Sequence, residues 1–218
     1  MTTLNALHEQ LETPPGDQST SIRREEGEFI FNFLKERRIA RTLEVGFAHG
    51  VSAAYILAAT GSPHYAIDPY ADAYGELGLK NLKTLNVDTL CHVERDLAHH
   101  VLPRLLNAGR RFEFAFVDGD HKFDTTFVEF YYLDLMIEQG GHIMFHDAWM
   151  PSIQHIAAWI RGNKKNYRFI EATPANLILV QKAGPDTRDW RDFTEFCVPT
   201  SRVARMTSML RRRFRGRP

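Results

Sequence analysis

One stretch constrains this chain more than any other: Thr42-Leu43-Glu44-Val45-Gly46-Phe47-Ala48-His49-Gly50-Val51-Ser52, read together with Ala66-Ile67-Asp68. An apolar strand runs into a glycine-bearing turn that opens a helix. A second strand ends in an acid about twenty residues further on, the layout of a nucleotide-type site at the carboxyl edge of a parallel sheet. Gly46 and Gly50 give GxxxG, not the GxGxxG that a dinucleotide pyrophosphate needs, which argues against a nicotinamide dehydrogenase. Phe47 and His49 also stand where a dinucleotide turn wants small residues. The turn therefore predicts a cofactor with an adenosine and no pyrophosphate, and S-adenosylmethionine fits. In this reading Gly46 and Gly50 let the backbone approach the ligand, and amides at the helix start hold a carboxylate. Ser52 adds a hydroxyl and Asp68 accepts the ribose hydroxyls. A plain tight turn and a solvated strand-end acid would each look the same alone; their spacing favours a site.

The rest of the chain alternates in the same way. Strands are predicted at 42–45, 64–67, 89–94, 112–117 and 142–145, with two late ones at 167–170 and 177–180. Helices are predicted from Ser21 as N-cap, then at 51–59, 75–85, 101–108, 125–139 (stopped by Gly140-Gly141) and 153–161. Short, almost wholly apolar strands indicate burial on both faces. The predicted fold is α/β: a Rossmann-like three-layer sandwich around a mostly parallel seven-stranded sheet, with an antiparallel edge hairpin. Residues 1–20 read as a variable lead-in, 21–183 as the cofactor-binding domain, and 184–218 as a C-terminal extension.

Two further blocks carry chemistry. Phe116-Val117-Asp118-Gly119-Asp120-His121-Lys122-Phe123-Asp124 and Gly140-Gly141-His142-Ile143-Met144-Phe145-His146-Asp147 each end an apolar strand in acids and histidines. If these strands are neighbours, Asp118 and Asp147 converge beside the cofactor cleft. Close carboxylates repel unless one takes a proton or a cation bridges them. Mg²⁺ prefers oxygen ligands, while an imidazole admits Mn²⁺, Fe²⁺ or Zn²⁺. Asp120 and Asp124 serve equally well as helix caps. His121 and His146 sit in the predicted cleft, where a neutral imidazole can take a proton from a substrate hydroxyl.

These blocks resemble the class I S-adenosylmethionine-dependent methyltransferases, and more closely the small O-methyltransferases of the catechol and caffeoyl-coenzyme A type, in a bacterial branch with VDGDH and HD signatures. The lead-in Glu25-Glu26-Gly27-Glu28-Phe29 is similar to the helix before the first strand in that group. The resemblance covers about residues 20–183. It implies methyl transfer to a hydroxyl oxygen of a small-molecule acceptor. Glu44, Gly46, Phe47, Gly50, Ser52, Asp68 and Asp118 would line the cofactor, and Asp96 would border its adenine, although Arg95 replaces the usual glycine before that acid. A divalent cation, Mg²⁺ or Mn²⁺, would sit on Asp118, His146 and Asp147, where the last two replace the usual Asp-Asn. His121 stands where the plant and animal enzymes carry a catalytic lysine, with Lys122 adjacent, and would be the base. Dimers are common in the group. Some relatives are associated with hydroxylation or bind without catalysis, and sequence does not separate these.

Composition sets the remaining bounds. The chain has 27 basic and 27 acidic residues, but seven arginines (Arg202, Arg205, Arg211, Arg212, Arg213, Arg215, Arg217) lie in a C-terminal tail without acids. The body is thus acidic, which argues against nucleic acid as the main substrate, while the tail offers charge to an anionic partner. No apolar run approaches the roughly 20 residues of a membrane span. The polar N-terminus and two distant cysteines, Cys91 and Cys197, point to a reducing cytoplasm.

Overall fold

The computed structural model describes residues 4–14 and 21–198. The basic tail and its proposed contact with an anionic partner lie outside these residues. In chain order the elements are α1 (Leu4–Gln10), α2 (Arg24–Glu36), β1 (Thr42–Val45), α3 (Val51–Thr60), β2 (His64–Ile67), α4 (Leu77–Thr84), β3 (Cys91–Glu94), α5 (Ala98–Asn107), β4 (Phe112–Val117), α6 (Phe123–Met136), β5 (Ile137–Phe145), α7 (Pro151–Asn163), β6 (Tyr167–Ile170) and β7 (Ile178–Lys182). One seven-stranded sheet has the order β3-β2-β1-β4-β5-β7-β6. β1 to β5 are parallel, and β7 inserts antiparallel between β5 and the edge strand β6. The expected fold class is therefore present, including the antiparallel edge pair.

The apolar strands supply both faces because their side chains alternate. Leu43, Val45, Ala115, Val117, Ile143 and Phe145 point to one side and pack with residues of α5, α6 and α7 such as Leu102, Phe130 and Ile156. Phe114, Phe116 and Met144 point to the other side, into a cluster with Ile30 and Leu34 of α2 and Ile56 of α3. Leu7 of α1 joins that second cluster. The C-terminal segment is tied to α7, where Asn163 donates to the Thr194 carbonyl (2.9 Å) and accepts its amide (2.8 Å). Lys164 reaches both Asp134 of α6 and Asp186.

Two local expectations are corrected. The helix expected at 125–139 ends at Met136, because Ile137 turns extended and pairs with Phe112 while its side chain is buried. Burying Ile137 in the sheet wins over continuing the helix. Gly140-Gly141 therefore lies inside β5, where the register to β4 shifts between Phe112 and Phe114. At the other end of the chain, Ser21 is not the cap of α2. The helix begins at Arg24, and Glu26 Oε2 accepts the Arg23 amide at 2.6 Å.

Gly27 sets how closely α2 meets α3. A Cβ placed there would lie 2.3 Å from Cε2 of the fully buried Tyr55. Alanine is the better helix former by about 1 kcal/mol, but overpacking costs about 1–3 kcal/mol. Gly27→Ala is expected to lower stability in urea unfolding; a gain would show that the α2–α3 contact is loose.

Candidate active site

The four motif blocks end in one row across the sheet. Ile67, Val45, Val117 and Phe145 are register partners in turn. The ladder continues one residue further: Gly46 N donates to Ile67 O (2.9 Å), Asp118 N to Val45 O (2.8 Å) and His146 N to Val117 O (3.0 Å). Asp68 N donates to Glu94 O (3.0 Å) on the other side. Gly46, Asp68, Asp118 and His146 thus stand along the carboxyl edge where open parallel sheets bind ligands.

On the cofactor side the turn is held by Asp68. Its Oδ2 accepts the amides of Phe47 (2.9 Å) and Ala48 (2.8 Å), and its Oδ1 accepts the Tyr70 amide (2.8 Å). Gly46 has φ +94°, and a Cβ there would lie 2.1 Å from the Asp118 carbonyl oxygen, so no larger residue fits. Gly50, also with positive φ, precedes α3. A cavity of about 30 Å³ is lined by Ser21, Ile22, Gly46 to His49, Val51, Ser52 and Asp118. A larger groove, about 460 Å³, lies among α7, β6, β7 and Val198 and includes none of the motif residues.

Some residues expected to line the cofactor are engaged elsewhere. Glu44 is fully buried beneath the turn, where Ser52 Oγ donates to its Oε2 (2.8 Å) and His64 Nε2 lies 3.4 Å from Oε1. Burial pushes its pKa upward. The Phe47 ring is buried against α4, since a Cβ on Gly78 would sit 2.4 Å from its Cε1. Asp96 accepts the Leu97 amide and binds His100 and Arg104 on α5. Hydrogen bonding to His100 and Arg104 holds its pKa well below the usual carboxylate range.

On the acceptor side Asp118, His121 and Asp147 come together, with one donor atom from each lying within 4.8 Å of the others. His121 Nε2 is 3.5 Å from Asp118 Oδ1 and 3.4 Å from Asp147 Oδ2. Both His121 (φ 55°) and Asp147 (φ 52°) adopt the left-handed backbone region, which is uncommon for side-chain-bearing residues and recurs at functional sites. This donor set, two carboxylates and an imidazole, fits a divalent cation.

His146 lies beside that set, its Nδ1 3.6 Å from Asp147 Oδ1. Its Nδ1 is 2.9 Å from Asp118 Oδ1, and its Nε2 is 3.1 Å from Glu26 Oε2. Burial would lower its pKa, but hydrogen bonds to Asp118 and Glu26 outweigh burial and raise it to about 10. Glu26 moves the opposite way: burial favours its neutral form, and the His146, Arg23 and Asn176 hydrogen bonds lower it overall. Lys122 faces solvent and pairs with Asp120 Oδ2 at 2.9 Å, away from the cluster. Two site residues escaped the sequence reading. Glu26 reads in sequence only as part of the helix before the first strand, and Asn176, which donates to Glu26 Oε1 (3.0 Å) and Asp147 Oδ1 (3.3 Å), lies in a loop without any motif.

Strand order and site row together define the class I methyltransferase fold. Residues 43–148 match a family model described as a methyltransferase domain. Solved structures with the same fold include the O-methyltransferase TomG from Streptomyces achromogenes, involved in tomaymycin synthesis and in complex with SAM (17% identity, 83% of this chain and 88% of that chain, TM-score 0.66). They also include SAH-bound PaMTH1 from Podospora anserina (15%, 82% and 87%, 0.67) and the Bacillus cereus O-methyltransferase in complex with SAH (15%, 82% and 90%, 0.64). No curated protein matches the chain in sequence.

Glu129 of α6 lies under the 118–120 turn, 3.4 Å from where a Gly119 Cβ would stand. Burial, with help from Asp120, pushes its pKa up to about 8. A raised carboxyl pKa means the folded state holds a proton that the unfolded chain releases near pH 4.5, so stability falls as pH rises from about 4.5 to 8. Glu129→Gln is expected to leave the melting midpoint unchanged near pH 4 and to raise it by roughly 10 °C at pH 8, for about 4 kcal/mol. An unchanged pH slope would show that Glu129 is ionised in the fold.

Proposed function

We propose that the protein is an S-adenosylmethionine-dependent O-methyltransferase acting on a small-molecule acceptor. The observation that carries this reading is the shared edge row: the glycine turn with Asp68 stands beside Asp118 and its cluster, so a methyl donor and an acceptor oxygen would meet at one place. The methyltransferase-domain match and the SAM- and SAH-bound neighbours support the same cofactor. In-line transfer from a sulfonium needs alignment of the acceptor and exclusion of water rather than an elaborate acid–base set. The turn with Gly46 and Gly50 would face the cofactor, and Asp68, which holds that turn through the Phe47, Ala48 and Tyr70 amides, would border its ribose. Asp118 and Asp147 would hold a divalent cation, which would supply Lewis acidity toward an acceptor hydroxyl. His146, clamped by Glu26, fixes the Asp118 carboxylate. Exposed Trp149, whose Nε1 donates to Asp147 Oδ1 (2.9 Å), and exposed Tyr70 offer aromatic walls to the acceptor.

The catalytic domain in this reading is 21–183, with α1 packed onto it and 184–198 following α7. Among the described residues no helix is long and apolar enough to cross a membrane. Unpaired Cys91 and exposed Cys197 support a cytoplasmic setting. The apolar outer face of α6, with Phe123, Val128, Tyr131 and Leu135 exposed, supports a homodimer.

Calorimetry with S-adenosylhomocysteine is the direct test. Micromolar binding is expected, reduced about tenfold or more in Asp68→Ala, a loss of about 1.4 kcal/mol. Asp118→Ala is expected to abolish turnover and leave this affinity within a few-fold. Absence of binding to the unmodified protein would overturn the reading.

A further inference from the structure

We infer that His121 is a ligand to the cation of this site rather than the base that deprotonates the acceptor, and that the site therefore selects a transition ion such as Zn²⁺ or Mn²⁺ over Mg²⁺. This deepens the methyltransferase reading and rests on it. Two imidazoles are available, and they differ in what their nitrogens meet. His146 has carboxylates on both sides of its ring: Nδ1 lies 2.9 Å from Asp118 Oδ1 and 3.6 Å from Asp147 Oδ1, and Nε2 lies 3.1 Å from Glu26 Oε2, which suits a charged imidazolium bridging Asp118 and Glu26. His121 directs Nε2 between Asp118 Oδ1 and Asp147 Oδ2 at 3.5 and 3.4 Å. A base must face the acceptor, whereas this nitrogen faces the two carboxylates.

The carboxylates are arranged to match. Asp147 Oδ1 accepts from Trp149 Nε1 (2.9 Å) and Asn176 Nδ2 (3.3 Å), which turns Oδ2 toward His121. Two ligand atoms held about 2.1 Å from one ion at a tetrahedral angle lie about 3.4 Å apart. The His121 separations agree with that span and exceed a charged hydrogen bond of about 2.7–2.9 Å. An imidazole nitrogen suits Zn²⁺, Mn²⁺ and Fe²⁺, while Mg²⁺ favours an all-oxygen shell with retained waters. His121 holds a left-handed backbone (φ 55°), a conformation that asparagine also tolerates.

The test uses the full-length protein, calorimetry with Zn²⁺, Mn²⁺ and Mg²⁺, and pulsed electron paramagnetic resonance of bound Mn²⁺ for coupling to an imidazole nitrogen. The unmodified protein is expected to bind Zn²⁺ at least about tenfold more tightly than Mg²⁺, following ligand softness, and to show one nitrogen coupling. His121→Asn, which keeps the turn, is expected to lose that coupling and the Zn²⁺ preference while retaining Mg²⁺ affinity. His146→Gln is expected to keep the coupling. Coupling that survives His121→Asn, or equal Zn²⁺ and Mg²⁺ affinity in the unmodified protein, overturns the ligand role. Absent metal binding alongside intact S-adenosylhomocysteine binding overturns this inference alone. Failure of S-adenosylhomocysteine binding overturns the methyltransferase reading instead.

Discussion

The parallel register of β2, β1, β4 and β5 is the constraint on which the site depends. Ile67, Val45, Val117 and Phe145 lie in one row, and the next backbone amides continue the ladder. Gly46, Asp68, Asp118 and His146 are therefore placed by main-chain hydrogen bonds and not by their own side chains. Their surroundings then differ by strand. Beyond β1 and β2 the Asp68 carboxylate spends its oxygens on the turn amides, and beyond β4 and β5 the side chains face one another.

Charge at that second place is partly offset within the fold. Asp118 and Asp147 would repel if left alone. His146, drawn to Asp118 and Glu26, supplies a cation from β5, and Glu26 brings the first turn of α2 over the edge. A buried pair of this kind gains little net stability over an apolar one. What it does is fix which oxygen of Asp118 meets which imidazole, so α2 is tied to the site as well as to the core.

The sheet and its strands were legible in sequence because apolar runs of four to six residues end abruptly at glycines and acids. Pairwise convergence of the 118 and 147 blocks was legible for the same reason. The roles of individual side chains were less so. His146 stands in the motif position beside Asp118, but that Glu26, 120 residues earlier in the chain, holds its other nitrogen has no local signature. Glu44 looked exposed to the cofactor because it sits beside the glycine turn, but the four strand residues are all buried and its partners are Ser52 and His64. Lys122 is adjacent to His121 in sequence and faces water. Local pattern encodes the backbone row; long-range partners such as Glu26 and Asn176 have no local pattern to betray them.

The two halves of the site also differ in how freely they can change. The half around the glycine turn is built from backbone amides and from contacts that exclude a Cβ, as at Gly46, so its shape follows from the fold. The half around Asp118 is built from side chains on four separate segments: α2, the turn after β4, the turn after β5 and the β6–β7 loop. Trp149 and Tyr70 project from two of the edge loops into solvent. Loops carried on a rigid edge can vary without disturbing the row beneath them. Acceptor preference in this protein is accordingly expected to reside in Tyr70, Trp149 and the Glu26–His146–Asn176 clamp, and cofactor choice in the glycine turn.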